Sequence, residues 1–130
     1  MTIVVAYSAD PYGRAALAHA AREAGRRQED VVVVNATRGD SLVDRRFADD
    51  DDLARVRSSI EDLGLTVTIE HEVVDDVAGA VVTAAERLDA SLVVVGVRHR
   101  SPVGKALLGS VGQRVILDAP CPVLAVKPDA

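Results

Sequence analysis

Aromatic side chains are scarce in this sequence: its 130 residues include two Tyr, one Phe and no Trp. Proteins that hold single-stranded nucleic acid usually stack the bases on such side chains, so this scarcity argues against that function. The formal net charge of -5 likewise provides no overall basic field for DNA or RNA. With an apolar fraction of 48%, the core must be built from Val, Leu, Ile and Ala, which suit helices packed on a sheet.

Cysteine and long hydrophobic runs are also scarce. The one cysteine, Cys121, excludes an internal disulfide and agrees with a reducing compartment. The N-terminal segment MTIVVAYSAD has no basic region, and its apolar run is too short for a signal peptide or a membrane span. We therefore predict a cytoplasmic protein with no membrane partner, folded as one domain over residues 1–130.

Five short segments have the composition of β-strands. Four are nearly continuous apolar runs, typical of parallel strands covered on both faces: residues 3–7, 31–34, 92–95 and 123–126. The fifth segment, residues 65–74, alternates more between apolar and polar residues and is predicted to lie nearer an edge of the sheet.

Helical patterns lie between these strands. The first helix is predicted to begin at Asp10-Pro11, a favourable N-cap and first residue, and Gly25 stands where its C-cap is expected. The second follows the acidic run Asp49–Asp52, because negative charge is favoured at a helix N-terminus, and the third follows Asp76. A shorter last helix is predicted to begin near Ser110.

The alternation of strand and helix predicts an α/β fold with an open, parallel, doubly wound sheet of five strands. Right-handed crossovers put helices on both faces, and we expect the strand order 3-2-1-4-5. The last strand, residues 123–126, then lies at an edge with unpaired backbone groups. Such an edge favours a homodimer in which this strand pairs with its copy across a two-fold axis.

Ligands of such sheets bind beyond the carboxyl ends of the strands, in this chain at Ser8, at Ala36 and along GVRHRSPVGKALLGS, residues 96–110. This stretch is not a Walker A loop, because His99 replaces its first glycine and Ala106 its hydroxyl residue. The first strand is not followed by G-x-G-x-x-G, so dinucleotide binding is not indicated. The acidic residues of a phospho-receiver domain also match poorly.

The C-terminal third, VVVGVRHRSPVGKALLGSVGQRVILDAPCPVLAVK, resembles the universal stress protein family, and the order and length of elements agree over nearly the whole chain. Nucleotide-binding members of that family carry glycine, two residues, glycine, nine residues, and then Gly-Ser or Gly-Thr. Gly96 and Gly109-Ser110 match this motif and its spacing, whereas His99 replaces the second glycine. Ser8 stands where the family often has an aspartate near the adenosine, and Gly112 where ATP-binding members often have a hydroxyl residue.

The resemblance implies a Rossmann-like, adenine-nucleotide α-hydrolase-like fold and a stress-response function, with ATP or a related adenine nucleotide bound at the carboxyl rim of the sheet. Val5, Ala36 and Val95 are expected to line a slot for adenine. Arg98 and Lys105 are expected to balance the phosphate charge, and His99 to narrow the approach to the phosphates. The predicted binding residues are Ala6, Tyr7, Ser8, Ala36, Val95, Gly96, Arg98, His99, Lys105, Gly109, Ser110 and Val111.

Other interpretations of the same residues stay open. Ser110 with Gln113 fits a capping box, which needs no ligand, and the basic residues fit a solvated loop. The sequence contains no pattern of metal ligands and no nucleophile with a suggested base, so neither a metal site nor a catalytic site is predicted. The alternative function is a dimeric interaction or scaffold protein of the same fold that binds no nucleotide, and His99 and Ser8 favour it.

Overall fold

The computed structural model describes residues 1–37, 48–97 and 109–128. Along these ranges the elements are β1 (Thr2–Ala6), α1 (Pro11–Arg27), β2 (Asp30–Thr37), α2 (Asp50–Glu61), β3 (Val67–Val73), α3 (Val77–Arg87), β4 (Leu92–Gly96), α4 (Ser110–Asp118) and β5 (Val123–Val126). The strands run parallel in one sheet of order β3-β2-β1-β4-β5, which confirms the predicted fold. No helix in the described ranges is long and apolar enough to cross a membrane.

The central strand β1 is buried on both faces of the sheet, which explains its continuous apolar sequence. Ile3, Val4 and Val5 have no exposed surface, and successive side chains point to opposite faces. Ile3 and Val5 join a core cluster with residues of α1 and α2, whereas Val4 packs with residues of α3 and α4. Helices therefore cover both faces, as predicted for a doubly wound sheet.

The edges of the sheet are formed by β3 and β5, as the sequence predicts. Along β3 only Val67 is buried, and the remaining residues of the strand are half-buried or exposed. β5 is four residues long and pairs with β4 alone within the sheet. Both edges carry backbone groups that the sheet itself does not use.

The prediction that Gly25 ends the first helix is wrong. α1 continues to Arg27, and Gln28 adopts the left-handed conformation with φ of 57°. The backbone N–H of Gln28 donates to the Ala24 carbonyl, and its side-chain amide donates to the Gly25 carbonyl at 2.7 Å. Because these bonds satisfy carbonyls of the last turn, the helix can pass Gly25 and end without a glycine cap.

A buried asparagine ties the rim of the sheet together. The side chain of Asn35, at the carboxyl end of β2, is fully buried. Its Nδ2 donates to the Tyr7 carbonyl at 3.0 Å, and its Oδ1 accepts from the Ala48 N–H at 2.9 Å. Asn35 therefore connects β2 both to the end of β1 and to the segment that enters α2.

Replacing Asn35 with alanine should lower the free energy of unfolding by about 2–4 kcal/mol, because one buried carbonyl and one buried N–H lose their partner. Urea denaturation monitored by circular dichroism measures this loss. As a control, Gln113→Ala removes an exposed amide and should change stability by less than about 0.5 kcal/mol. Equal effects of the two substitutions would show that the hydrogen bonds of Asn35 do not contribute to the free energy of unfolding.

Candidate functional site

The main candidate site is a cleft of about 650 Å³ at the carboxyl ends of β1, β2 and β4. α1 follows β1 on one face of the sheet, whereas α4 lies on the other, so the cleft opens where the strand order reverses. Its lining includes every predicted binding residue that the structure describes: Ala6, Tyr7, Ser8, Ala36, Val95, Gly96, Gly109, Ser110 and Val111. The other three, Arg98, His99 and Lys105, lie outside the described residues.

The apolar wall of the cleft belongs to the side of the sheet that carries α3 and α4. Val34 and Ala36 of β2 reach it from the sheet, and Val81 of α3 from above. Val95 lies there as expected, but the expectation that Val5 lines the slot is wrong. Val5 is fully buried on the opposite face, because neighbouring residues of a strand point in opposite directions.

Tyr7 borders the cleft, but its side chain is buried in the core. The aromatic ring packs in the core cluster that contains α1 and α2 residues, and the residue is 6% exposed. Burial raises the pKa of the phenol above its ordinary value, and the Asp52 carboxylate raises it further. Its backbone N–H donates to the Val34 carbonyl at 2.9 Å. Tyr7 therefore shapes the rim and does not present its ring as a stacking surface within this structure.

A carboxylate lies beside Ser8, although Ser8 replaces the aspartate that the family often has at this position. Ser8 Oγ donates to Asp10 Oδ1 at 2.8 Å, and the same oxygen accepts from the Gly13 N–H at 2.9 Å. Asp10 thus caps α1, as predicted, and also lines the cleft. The sequence showed it only as a helix cap, although its position two residues after Ser8 placed it at the same corner.

Gly96, the first glycine of the family motif, serves the packing of the site. A Cβ at this position would lie 2.2 Å from the carbonyl oxygen of Tyr12 in the first turn of α1. A Cβ at Gly13 would lie 1.9 Å from the Ser8 carbonyl oxygen. Because Gly96 and Gly13 lack side chains, the start of α1 can lie directly against the ends of β1 and β4.

The N-terminus of α4 is where the structure departs from the capping-box interpretation. The N-cap residue is Gly109, Ser110 is the first helical residue, and no side-chain hydrogen bond caps the helix among the described residues. The first bond of the helix runs from the Gln113 N–H to the Gly109 carbonyl at 3.0 Å. The preceding N–H groups, including those of Ser110 and Val111, have no partner within the helix and lie at the cleft.

Besides Asp10, three charged residues at the cleft were not predicted as site residues. Asp75 and Asp76 precede α3, and Arg114 lies one turn into α4. Arg114 Nη1 is 2.6 Å from Asp76 Oδ1, and this hydrogen-bonded carboxylate raises the pKa of the guanidinium. The signal in the sequence was the four-residue spacing from Ser110 to Arg114, which puts both on one side of a helix.

Metal-binding and thiol chemistry have little support in the described part of the chain. Groups of three or more His, Cys, Asp or Glu that could hold a metal ion are not found there. Burial raises the pKa of the Cys121 thiol, with a smaller contribution from the Asp89 carboxylate. A raised pKa keeps the sulfur protonated and therefore poorly nucleophilic.

Comparison with known proteins agrees with this architecture. The sequence model described as "Universal stress protein family" matches residues 1–127. This chain belongs to the universal stress protein family. A universal stress protein of Mycolicibacterium smegmatis is 51% identical over 126 residues, which cover 97% of each chain.

Solved structures of the family share the fold. A universal stress protein from Archaeoglobus fulgidus has a TM-score of 0.77 and 29% identity, with 97% of each chain covered. The structure of the universal stress protein from Archaeoglobus fulgidus in complex with dAMP has a TM-score of 0.67 and 25% identity, covering 97% of this chain and 96% of that one.

The packing role of Gly96 can be separated from ligand binding by its stability effect. Gly96→Ala should lower the free energy of unfolding by about 1–3 kcal/mol, because the new methyl group meets the backbone of α1. Gly112→Ala is the matched control, since its Cβ would meet Val97 Cγ1 at an ordinary 3.5 Å. Thermal and urea unfolding without ligand compare the two, and a Gly96→Ala protein as stable as Gly112→Ala would contradict the packing role.

Proposed function

We propose that this universal stress protein binds an adenine nucleotide, with ATP as the first candidate, in the cleft at the carboxyl ends of β1, β2 and β4. The observation that carries this proposal is the open N-terminus of α4. The helices α1, α2 and α3 are capped by the carboxylates of Asp10, Asp49 and Asp76, whereas α4 has a glycine at its N-cap.

An uncapped helix N-terminus facing a cleft suits a phosphate group. The N–H groups of Ser110, Val111 and Gly112, which precede the first hydrogen bond of the helix, point along the helix axis, and the helix dipole adds partial positive charge there. Among the described residues space is available, because a Cβ at Gly109 would meet none of their atoms within 4 Å. From the sequence alone, Arg98 and Lys105 are proposed to balance the phosphate charge, and His99, which replaces the second glycine of the family motif, is proposed to narrow the approach to the phosphates.

The rest of the cleft suits a nucleoside. The apolar wall formed by Val34, Ala36 and Val95 accommodates the face of a purine. At the corner near β1, Asp10 Oδ1 already accepts two hydrogen bonds, and its second oxygen is available for a sugar hydroxyl as far as the described residues show. Asp10 thereby supplies the carboxylate that Ser8 lacks.

The relatives support an adenine ligand and do not point to an enzyme. The relative from Archaeoglobus fulgidus that was solved with dAMP has the same fold over 97% of this chain. The described lining of the cleft contains neither histidine nor cysteine, and the Asp10 carboxylate that accepts from the Ser8 hydroxyl is engaged as the cap of α1. We therefore propose a nucleotide-responsive binding module that acts in the cytoplasmic stress response.

Gly109→Asp provides the sharpest test of phosphate binding. The new carboxylate should cap α4 and raise the free energy of unfolding by a few tenths to about 1 kcal/mol. The same carboxylate occupies the phosphate position and repels the ligand, so isothermal titration should show that ATP affinity falls at least tenfold. Stability and affinity should thus change in opposite directions, which simple misfolding cannot produce.

Two controls accompany this substitution. Gly109→Asn caps the helix without adding charge, so it should weaken ATP binding less than Gly109→Asp. Gln113→Glu adds a negative charge to the same turn, but residue 113 is exposed and does not line the cleft. If ATP produces no heat with the parent protein or with His99→Gly, the nucleotide proposal is wrong and the scaffold function takes its place.

We also propose a homodimer formed along β5. The Val97 N–H donates to the Val126 carbonyl, and the Val93 N–H to the Pro122 carbonyl, so the even-numbered residues of this strand pair with β4. By the alternation of a parallel ladder, the peptide groups of Val123 and Ala125 point outward at the edge. Helix α4 packs against β5, and its Leu117 is an apolar side chain that is 73% exposed.

Ala125→Pro should convert the dimer to monomer, because proline removes an outward N–H while leaving the bonds to β4 in place. Sedimentation velocity measures the change at a protein concentration of about 50 µM, which exceeds a dissociation constant in the low micromolar range. Val73→Pro is the matched control at the opposite edge, since Val74 donates inward to Thr37 and the Val73 N–H therefore points outward. A monomeric parent protein, or equal effects at both edges, would contradict the proposal.

A further inference from the structure

The ion pair between Arg114 and Asp76 spans the mouth of the cleft. Arg114 Nη1 lies 2.6 Å from Asp76 Oδ1, and both side chains line the cleft beside the open N-terminus of α4. We propose that Arg114 is a phosphate ligand that Asp76 holds in an alternative position while the cleft is empty. This inference rests on the proposed nucleotide binding and adds a residue to it that the family motif does not include.

The position of Arg114 on the helix gives its side chain access to a phosphate at the N-terminus. Residue 114 lies four positions after Ser110, so the two side chains share one side of α4. Side chains on a helix lean toward its N-terminus, so the guanidinium of Arg114 can reach the N–H groups of the first turn of α4. A guanidinium can then bind two phosphate oxygens at once, while the N–H groups bind the others.

The present pair is weak enough to be exchanged. Each of the two side chains is 49% exposed, and ion pairs with that much contact with water contribute little stability. Arg114 Nε also lies 3.9 Å from Asp118, one turn further along, so the guanidinium is already shared between carboxylates. A phosphate group carries more charge than a carboxylate and offers a bidentate partner, so it competes well for the same guanidinium.

Asp76 can release Arg114 without loss of its structural role. Its Oδ1 also accepts from the Gly79 N–H at 3.1 Å, which caps α3 whether or not Arg114 is bound. The exchange therefore needs a side-chain rotation of Arg114 and leaves the backbone of α3 in place. The carboxylate acts as a competitor that lowers affinity for phosphate ligands, and its removal should tighten binding.

A double-mutant cycle tests this role by isothermal titration with ATP, with adenosine as the ligand that lacks phosphate. Arg114→Gln should weaken ATP binding about tenfold, because a charged hydrogen bond is lost, and should leave adenosine binding unchanged. Asp76→Asn keeps the α3 cap and should tighten ATP binding about two- to fivefold by freeing Arg114. In the Arg114→Gln background, Asp76→Asn should change affinity by less than about twofold, since no guanidinium remains to be freed.

Asp75→Asn is the control for general electrostatics, because it removes the same charge from a neighbouring residue of the cleft, whereas the ion pairs of Arg114 are with Asp76 and Asp118. Its effect on ATP binding should be the same with and without Arg114. If Asp75→Asn and Asp76→Asn behave alike in the cycle, or Arg114→Gln weakens adenosine as much as ATP, the proposed role of Arg114 is wrong. If ATP binds neither the parent nor Asp76→Asn, the nucleotide function itself is wrong.

Discussion

The close approach of α1 to the carboxyl ends of β1 and β4 is the constraint on which the site depends. Gly13 and Gly96 permit it, since a side chain at Gly96 would overlap the backbone of Tyr12 in α1, and one at Gly13 would overlap the backbone of Ser8 just after β1. This contact holds Asp10 beside Ser8 and closes one side of the sheet at its rim. Among the described residues, the cleft between the strand ends lies on the side of the sheet that carries α3 and α4.

Helix capping then determines which part of the cleft can attract an anion. α1 and α3 both begin at the cleft, but their own N-cap carboxylates, Asp10 and Asp76, already accept backbone N–H groups. These carboxylates repel phosphate and satisfy the donors that a phosphate would need. α4 begins at Gly109, and among the described residues no carboxylate caps it, so its N-terminal N–H groups are neither occupied nor shielded by a cap. Of the three helix N-termini at the cleft, that of α4 is therefore the favoured position for negative charge.

The sequence was sufficient to predict five parallel strands covered by helices on both faces, because apolar periodicity indicates the strands and crossover handedness places the helices. The predicted strand order and both edge strands are confirmed, and the candidate cleft lies at the predicted rim. Predictions from the sequence were wrong where they depend on which face of the sheet a side chain points to, or on which residue forms a local hydrogen bond. Val5 and Val95 are equally apolar, and only the pairing of Ala6 with Val95 shows that Val5 faces the other way. Gly25 has the composition of a helix end, but Gln28 satisfies the last carbonyls and takes that role.

The charged residues of the cleft were missed for a related reason. Asp10 and Asp76 each fit the pattern of an N-cap, and a sequence pattern that is fully explained by one role gives no signal of a second. In the fold, however, helix N-termini gather at the carboxyl ends of parallel strands, so every cap residue there also borders the ligand position. Cap carboxylates in this architecture therefore lie where they can act on a ligand as well as on their helix, and we propose that Asp76 does so through the guanidinium of Arg114.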